Sequence, residues 1–183
     1  MLDAIHPWGS RVRAFCSQSI ETRVASELWH MQGYWLLRQR IFTGEQRLFA
    51  DSDRDEHDDH ALPIVALALT AGMPDTVVGV VRVYSVGNQQ WFGGRLGVCP
   101  SYRHHGLVGE TLIRTAVGTA LAAGCRRFLA TVQLGNVRYF QRHHFDVVGQ
   151  RLVCGVTHAL MRARLADFKP VVPAWPGAPE EPA

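Results

Sequence analysis

The segment from residue 91 to 133 constrains the fold most, because two hydrophobic patterns meet there at one glycine turn. Residues 91–98, WFGGRLGV, are typical of a strand that its glycines weaken or kink. Between residues 107 and 123 apolar side chains recur on one helical face, and Gly124 is the expected helix stop. The intervening residues 100–106, PSYRHHG, therefore place the N-terminus of a helix at the end of a sheet.

The other elements follow from apolar periodicity and from turn residues. Residues 19–42 are predicted to form a long helix capped by Ser19 or Thr22, after a first strand at 11–17. An acidic loop at 51–60 follows this helix. The remaining predicted elements are hairpin strands at 62–70 and 76–86, a strand at 126–133, a short helix at 136–144 capped by Asn136, and final strands at 145–153 and 156–165.

The composition predicts one folded domain at residues 1–168 and a Pro-rich tail at 169–183 that does not fold. Of the 183 residues, 47% are hydrophobic and 19% are charged, which suffices for an ordinary core. The net charge of +3 comes without a dense Lys/Arg run, so no nucleic-acid partner is expected. The longest apolar run, 62–72, is shorter than the roughly 20 residues of a membrane span, and no signal peptide is evident.

Cysteine spacing and the acidic loop both argue against a metal site. The chain has four cysteines that lie far apart: Cys16, Cys99, Cys125 and Cys154. Their spacing disfavours a disulfide framework and a zinc site, so we expect reduced thiols in a cytoplasmic protein. The loop at 51–60 only partly matches a calcium loop, because His57 and Leu62 stand where a glycine and a bidentate glutamate are needed.

The turn at residues 100–106 has the features of an anion site. Backbone N–H groups at a helix N-terminus lack intrahelical partners and carry partial positive charge, which suits phosphate oxygens. Gly106 leaves room for an anion, and Arg103 can add a charge-assisted contact. No Gly-Lys-Ser/Thr ends the turn and the glycine spacing differs from a dinucleotide fingerprint, which excludes two common phosphate motifs. A plain strand–helix connection is the alternative.

Residues 96–113, LGVCPSYRHHGLVGETLI, resemble the acetyl-CoA-binding motif of the GCN5-related N-acetyltransferases. In that family an apolar strand precedes Arg/Gln-x-x-Gly-x-Gly/Ala, and a helix follows. Arg103 and Gly106 match this pattern, whereas Val108 stands where Gly or Ala is usual. Because the contacts implied are backbone N–H groups, a valine is compatible if its side chain points towards the protein.

A second segment, 129–149, resembles the family's next motif, in which an Asn is followed by an aromatic residue and a final Gly-Phe. Asn136, Phe140 and Phe145 have the matching spacing, and His144 replaces the usual Gly. The two motifs together indicate the family more strongly than either alone.

Finer resemblances concern the N-terminal half and the last strand. Residues 36–61 and 155–161 are similar to the corresponding segments of ElaA-type members. The whole chain also resembles the acetyltransferases encoded beside nitrilases in bacterial nitrogen-starvation clusters. The acidic segment shares a fainter similarity with acyl-homoserine lactone synthases, which have the same fold.

The resemblance implies an α+β fold. Its central sheet is mixed, mostly antiparallel, has about six or seven strands, splays open at the acetyl-CoA site and is flanked by helices. Acetyl-CoA is the implied acyl donor, with its pyrophosphate on the backbone of residues 104–109 and its pantetheine arm beside the strand at 95–98. The coenzyme-binding residues implied are Leu96, Val98, Arg103, His104, His105, Gly106, Leu107, Val108, Gly109, Asn136 and Phe140.

The implied reaction is direct attack of a small-molecule amine on the thioester, with the carbonyl polarised by the N–H of Val98. The family's usual leaving-group acid is a tyrosine five residues before the second-motif Phe, and here that position is Phe140. Tyr139 is adjacent and is the candidate acid, although one residue turns a helix by about 100°. Solvent or another group is the alternative.

Four residues are candidates for the base that deprotonates the amine: Glu45, Glu56, His60 and His158. Glu45 follows the long helix in the segment that walls the family's acceptor pocket, and a solvated helix-end carboxylate is the alternative. An imidazole such as that of His158 can take a proton near neutral pH, and a core histidine is the alternative. The expected acceptor contacts are Glu45, Asp55, Glu56 and His60.

The acidic loop at 51–60 could attract a cationic acceptor such as a polyamine, or it could simply be solvated. Three functions are compatible with the sequence: an N-acetyltransferase acting on a small amine, an acyl-homoserine-lactone-like transferase with a longer acyl donor, and a catalytically silent coenzyme A sensor. A homodimer is compatible with each of them.

Overall fold

The computed structural model describes residues 19–172, which build a central sheet with helices on both faces. The helices are α1 (Leu28–Arg38), which continues as a π-helical turn (Gln39–Glu45), α2 (Leu107–Ala122) and α3 (Val137–Arg142). The strands are β1 (Ile20–Val24), β2 (Leu62–Thr70), β3 (Met73–Ser85), β4 (Gln90–Val98), β5 (Arg127–Gln133), β6 (Phe145–Val153) and β7 (Val156–Ala163).

The seven strands lie in the order β1-β2-β3-β4-β5-β7-β6. All neighbouring pairs are antiparallel except β4 and β5, which are parallel. This arrangement confirms the predicted mixed, mostly antiparallel sheet. The predicted positions of β2 to β7, α2 and α3 agree with the structure to within a few residues.

The start of the predicted long helix is wrong. Residues 20–24 form β1 and pair with β2, with Ile20 opposite Ala68. Alternating side chains of β1 face α2, and the Thr22 hydroxyl lies 2.7 Å from that of Thr115. Strand pairing therefore outweighs the helical periodicity that the segment shares with α1. The predicted strand at 11–17 and Cys16 lie outside the described residues.

The true start of α1 is Leu28, with Glu27 as the N-cap. Glu27 and His30 form a reciprocal capping box, in which the Glu27 N–H donates to His30 Nδ1 at 3.4 Å. Asn136 is the N-cap of α3 as predicted, but its side chain makes no capping hydrogen bond.

Two apolar layers hold the helices on the sheet. The layer under α1 includes Tyr34, Leu37, Ile41, Phe42, Val65, Leu67 and Val80. The layer under α2 includes Val108, Leu112, Ile113, Val117, Ile64, Val81 and Phe128. Each fully buried aliphatic or aromatic side chain contributes about 1.5–3 kcal/mol. The two layers fix both helices against the central strands.

The segment after β7 returns to α2. The Val171 N–H donates to the Gly118 carbonyl at 3.0 Å, and a Cβ at Gly118 would lie 2.6 Å from Val171 Cγ2. The predicted tail therefore begins with residues that contact the domain, and residues 173–183 lie outside the described part. No helix within residues 19–172 combines the length and apolar character that crossing a membrane requires.

Candidate active site

A cleft lies where β4 and β5 separate. These strands pair only over Gln90–Gly93 and Arg127–Ala130, and beyond those residues they part. The cleft has a volume of about 770 Å³ and reaches from the turn before α2 to the β6–β7 hairpin. The predicted opening of the sheet is thus present, and it follows from the short parallel register.

A β-bulge in β4 shapes one wall of the cleft. Val80 pairs with Gly97 and Arg82 pairs with Gly94, so Arg95 and Leu96 together oppose one residue of β3. Arg95 has a left-handed backbone with φ of 55°. Bulges bend a strand and redirect side chains, which is why they occur near functional sites.

The last residue of β4 presents its backbone to the cleft. The Cys99 N–H donates to the Val78 carbonyl at 2.8 Å, and hydrogen-bonded pairs alternate along an antiparallel ladder. The N–H and C=O of Val98 are therefore directed away from β3. Consistently, the Val98 carbonyl accepts a hydrogen bond from Arg103 Nε at 2.8 Å.

The turn at residues 100–106 ends in a left-handed glycine at the N-terminus of α2. Gly106 has φ of +66°, and an added Cβ would meet no atom within 4 Å. The first intrahelical hydrogen bond of α2 runs from the Glu110 N–H to the Gly106 carbonyl at 3.0 Å. The N–H groups of residues 107–109 precede that bond, which is the arrangement that anions occupy at helix N-termini.

The first turn of α2 is packed closely against the protein. Val108 is 2% exposed and points towards β3, where a Cβ added to Gly79 would lie 2.6 Å from Val108 Cγ1. Gly109 lies under the ring of Tyr139, whose hydroxyl would be 2.5 Å from an added Cβ. The valine that departs from the family pattern therefore faces the protein interior.

Glu45 and Arg103 form a bidentate ion pair at the rim of the cleft. Arg103 Nη1 and Nη2 donate to the two carboxylate oxygens of Glu45 at 2.6 and 2.8 Å. These hydrogen bonds hold the pKa of the Glu45 carboxyl below its usual value. Glu45 ends the π-helical turn, a distortion often found at functional sites.

A second contact from the same segment reaches the opposite wall. Gln133 Nε2 donates to Gln46 Oε1 at 3.0 Å, which joins the end of β5 to the segment after α1. Residues 45 and 46 thus contact both the turn before α2 and β5. This short segment spans one end of the cleft.

The side chains of α3 have different surroundings. The Tyr139 hydroxyl donates to the Gly106 carbonyl at 3.3 Å, so it supports the turn before α2. Phe140 packs edge-on against Phe145, with ring centroids 5.3 Å apart. Asn136 is exposed and lies on the cleft wall. The two neighbouring rings therefore differ in direction, as the helical geometry predicts.

His158 lies on β7 and is 5% exposed. Its Nδ1 is 2.9 Å from the Val156 carbonyl oxygen. Because a carbonyl oxygen only accepts, Nδ1 carries the hydrogen in a neutral ring and Nε2 keeps a lone pair. His158 lines the cleft and pairs across the sheet with Gln133.

The acidic loop is tied to the sheet by buried ion pairs. We call this set the arginine–carboxylate network: Arg38, Arg82, Arg95, Asp53, Asp55 and Asp58. Arg38 is fully buried and donates to Asp53 at 2.8 Å and to Asp58 at 2.6 Å. Burial alone would raise the pKa of Asp58, but hydrogen bonds from Arg38 and Arg82 lower it to about 2.

The other two arginines of the network complete the pairing. Arg82 donates to both oxygens of Asp55, at 2.7 and 2.5 Å. Arg95 donates from Nε to Asp53 and from Nη2 to Asp55, both at 3.1 Å. Three carboxylates of the acidic loop are therefore neutralised by arginines from α1, β3 and β4.

Aromatic rings form the wall beside this network. Tyr84 lies between His57 and Phe92, with ring centroids 4.3 and 6.0 Å away and interplanar angles of 14° and 16°. All three rings line the cleft. Arg82 lies 5.4 Å from the centre of the Tyr84 ring. This wall offers a flat, mostly apolar surface next to several cationic groups.

The structure brings most of the predicted site residues to the cleft. Those on its wall are Leu96, Val98, Arg103, Gly106, Gly109, Asn136, Tyr139, Phe140, His158 and Asp55. Glu56 and His60 are exposed and are not among the residues lining the cleft. His104 and Leu107 are exposed on the turn and the start of α2, and the side chain of His105 is outside the described part.

Sequence reasoning missed Arg82, Arg95, Tyr84 and Arg151, which also line the cleft. A signal for the first two was available, because an arginine inside an apolar strand needs a partner when it is buried. The acidic loop supplies those partners from a distant part of the chain. Nothing in the local pattern of β6 indicates the position of Arg151.

A family model and several solved structures match this chain. The model of the acetyltransferase (GNAT) family matches residues 20–145, more than half of the chain. A search of curated proteins gives no match.

Three crystal structures have the same fold. A proposed N-acetyltransferase from Lactobacillus plantarum is 21% identical with a TM-score of 0.71, covering 81% of this chain and 99% of that one. Escherichia coli ElaA is 17% identical with a TM-score of 0.64, covering 80% and 99%. An acyl-CoA N-acyltransferase from Pseudomonas aeruginosa is 20% identical with a TM-score of 0.64, covering 79% and 98%.

The family match, the split sheet and the glycine turn lead to one conclusion, and the resemblance seen in the two sequence motifs is confirmed. The chain belongs to the acetyltransferase (GNAT) family and is an acyltransferase.

Proposed function

We propose that the protein is an N-acetyltransferase that transfers the acetyl group of acetyl-CoA to the amine of a small molecule. The observation that carries this proposal is the separation of β4 from β5 with the N-terminus of α2 at the same cleft. A thioester lying between the strands would have its pyrophosphate on the N–H groups of residues 107–109. The inward direction of Val108 supports this placement, because it leaves the backbone of the turn accessible.

The free edge of β4 suits the reacting end of the donor. The N–H of Val98 is directed into the cleft and can donate to the thioester oxygen as negative charge develops there. The Arg103 side chain contacts the carbonyl of Val98 and not its N–H. Donation from the N–H to the thioester therefore does not require Arg103 to move. The pantetheine amides would pair with the same strand edge.

The reaction proposed is a direct displacement. The neutral amine attacks the carbonyl carbon, a C–N bond forms, and the C–S bond breaks to release the thiolate of coenzyme A. The proton that the nitrogen loses goes to a base, and the thiolate takes a proton from solvent. The hydrogen bond from Tyr139 to Gly106 accounts for this tyrosine without a role as the acid.

We propose His158 as the base. Its Nδ1–H is held by the Val156 carbonyl, which leaves Nε2 to accept the proton. Glu45 is the weaker candidate, since Arg103 engages both oxygens and lowers the pKa of the carboxyl. We assign Glu45 to positioning Arg103 beside the turn.

Binding and turnover are tested separately. Acetyl-CoA, desulfo-CoA and long-chain acyl-CoAs are compared by thermal shift, because a ligand of the native state raises the melting temperature. Release of free thiol is then measured over a panel of amines. Acetyl-CoA binding with thiol release that depends on an amine is the expected result.

Other outcomes would favour the two alternatives. Binding of coenzyme A without thiol release on any amine would indicate a silent sensor. A preference for long acyl chains would indicate an acyl-homoserine-lactone-like transferase. The cytoplasmic location and a homodimer stay predictions, which fractionation and light scattering can test.

The base is tested by His158→Gln. We expect kcat to fall by about 100-fold or more while the melting-temperature shift with acetyl-CoA is unchanged. Glu45→Gln is the matched comparison and should retain most of kcat. The opposite ranking would assign the base to Glu45.

A further inference from the structure

We propose that the acceptor is a small amino carboxylate, and that Arg151 binds its carboxylate beside the proposed base. This inference rests on the proposed function and names the substrate class of the same cleft.

Among the residues that line the side of the cleft opposite the turn before α2, arginines outnumber carboxylates, with Arg82, Arg95 and Arg151 against Asp55. Arg38, Arg82 and Arg95 are matched by the three aspartates of the arginine–carboxylate network. Arg151 on β6 is an exposed fourth arginine, and none of the ion pairs within residues 19–172 involves it. Arg151 lines the cleft. Burial raises the pKa of the Tyr84 hydroxyl, and Arg151 lies close enough to oppose part of that rise.

Two arginines of the network also have N–H groups that make no hydrogen bond within the described residues. Nε of Arg82 is buried and, among the described residues, has no hydrogen-bond partner. Arg95 lines the cleft and donates only from Nε and Nη2 within the described part of the chain. Burial lowers the pKa of Arg95 and the neighbouring Arg82 adds to the shift, which a bound anion would oppose. The local field therefore favours an anionic group.

Register places the carboxylate site next to the base. Arg151 is directly opposite His158 in the β6–β7 ladder, so both side chains start from the same face of the sheet. Cβ atoms of such opposed residues are about 4.5–5.5 Å apart. In an α-amino acid the amine and the carboxylate are bonded to the same carbon atom. Such a molecule can reach Arg151 with its carboxylate while its nitrogen faces His158.

The remaining wall suits the side chain of the acceptor. The stacked rings of His57, Tyr84 and Phe92 offer a flat surface within the same cleft. A polyamine would have fewer carboxylates to bind on this wall, because those of Asp53, Asp55 and Asp58 are already paired with arginines. The contacts thus favour an anionic acceptor with a flat or apolar side chain over the cationic acceptor that the acidic loop suggests.

The experiment compares acceptors that differ only in the carboxylate. Phenylalanine, phenylalaninamide and phenethylamine are each supplied with acetyl-CoA, together with spermidine and a wider set of amino acids. We expect kcat/KM for phenylalanine to exceed that for the amide by about tenfold or more, since the amide lacks the negative charge that pairs with the Arg151 guanidinium. The amine of phenylalaninamide is less basic, so a larger fraction of it is neutral at pH 7. Intrinsic reactivity therefore favours the amide and works against the expected result.

Arg151→Gln removes the charge and keeps much of the side chain. The preference for the acid over the amide should then fall about tenfold, chiefly through KM, and Arg151→Lys should restore part of it. Arg126→Gln is the matched control, because Arg126 is exposed and does not line the cleft. It should leave the preference unchanged.

Failure of this inference differs from failure of the proposed function. If amides or amines react as well as the acids, or if Arg151→Gln does not change the preference, the inference is overturned while acetyl transfer stands. If no acceptor releases thiol, thermal shift with phenylalanine in the presence of desulfo-CoA decides. Stabilisation that Arg151→Gln abolishes would support the carboxylate site, and equal stabilisation by the amide would overturn it.

Discussion

The two sides of the cleft are formed by different kinds of chemical groups. The side at the turn before α2 consists of backbone N–H groups, Gly106 and the packed first turn of α2, with one rim ion pair between Glu45 and Arg103. The opposite side consists of buried charged side chains that come from α1, the acidic loop, β3 and β4. One side uses the dipoles of the chain itself, and the other depends on partners brought together by the fold.

This difference predicts different responses to substitution. Backbone groups cannot be removed by mutation, so the first side should be sensitive mainly to added atoms or added negative charge. The arginine–carboxylate network should be sensitive to removal of one member, because one buried charge is then left unbalanced.

Arg38→Met should have the largest effect. It leaves Asp53 and Asp58, whose side chains are 4% and 8% exposed, without their shared partner. Breaking a buried pair in this way costs about 3–5 kcal/mol of the free energy of unfolding. Urea denaturation measures the change. Arg54→Met is the control, since Arg54 is exposed and stacks on Trp35, and it should cost less than about 1 kcal/mol. Equal losses for the two variants would mean that the network contributes little to stability.

Gly106→Asp should weaken acetyl-CoA binding by about 100-fold. Aspartate tolerates the left-handed backbone better than most residues, but its charge would face the pyrophosphate, and like charges at an interface cost several kcal/mol. Gly106→Asn is the matched variant with the same shape and no charge. Gly124→Asp places the same charge at the other end of α2, where φ is +82°.

Titration calorimetry with acetyl-CoA separates these variants. The expected order of affinity is the parent protein, Gly124→Asp close to it, then Gly106→Asn, and Gly106→Asp last. Equal affinities for the Asn and Asp variants of Gly106 would contradict an anion at this turn.

The same contrast explains how far the sequence predicts the structure. The order of elements from β2 to β7 and the turn before α2 are local features, since Arg103, Gly106 and the apolar face of α2 lie within one short segment. The network is not local, because Asp53 and Asp55 meet Arg82 and Arg95 only after the sheet has formed. The acidic loop could therefore be predicted as charged but not as paired.

Two other outcomes have the same physical origin. The first turn of the predicted long helix became β1 because its alternating residues pair with β2, a partner some 40 positions away. Arg151 and His158 come together through the β6–β7 register, which the strand pattern alone does not specify. The inward direction of Val108, by contrast, follows from its place four residues before Leu112 on one helical face.

Gly79→Ala should affect the packing of α2 on β3. The new Cβ would lie 2.6 Å from Val108 Cγ1 and 2.8 Å from Leu112 Cδ1, so side chains must shift. Overpacking of this kind costs about 1–3 kcal/mol. Gly149→Ala is the control, because a Cβ there meets no atom within 4 Å.

Val108→Ala tests whether the cost of Gly79→Ala comes from contact with the Val108 side chain. Alone it should destabilise by leaving a cavity, but combined with Gly79→Ala it should cost less than the sum of the two single changes. Strict additivity in urea denaturation would show that Gly79 and Val108 do not contact each other.

Glu45→Gln should have the smallest effect on stability. Both partners of the Glu45–Arg103 pair are more than a third exposed, so solvent screening limits its contribution to about 0.5–1 kcal/mol. The folded-state pKa of Glu45 lies below its ordinary value of 4.5, so this contribution is present above that value and is lost as pH falls through the folded-state pKa. The parent protein should therefore be slightly more stable than Glu45→Gln at pH 7, with the difference vanishing once the pH is below the folded-state pKa and shrinking in high salt. A difference that persists at low pH would show that the side chain acts through packing and not through its charge, and the rim of the cleft would then resemble the buried network more than the exposed turn.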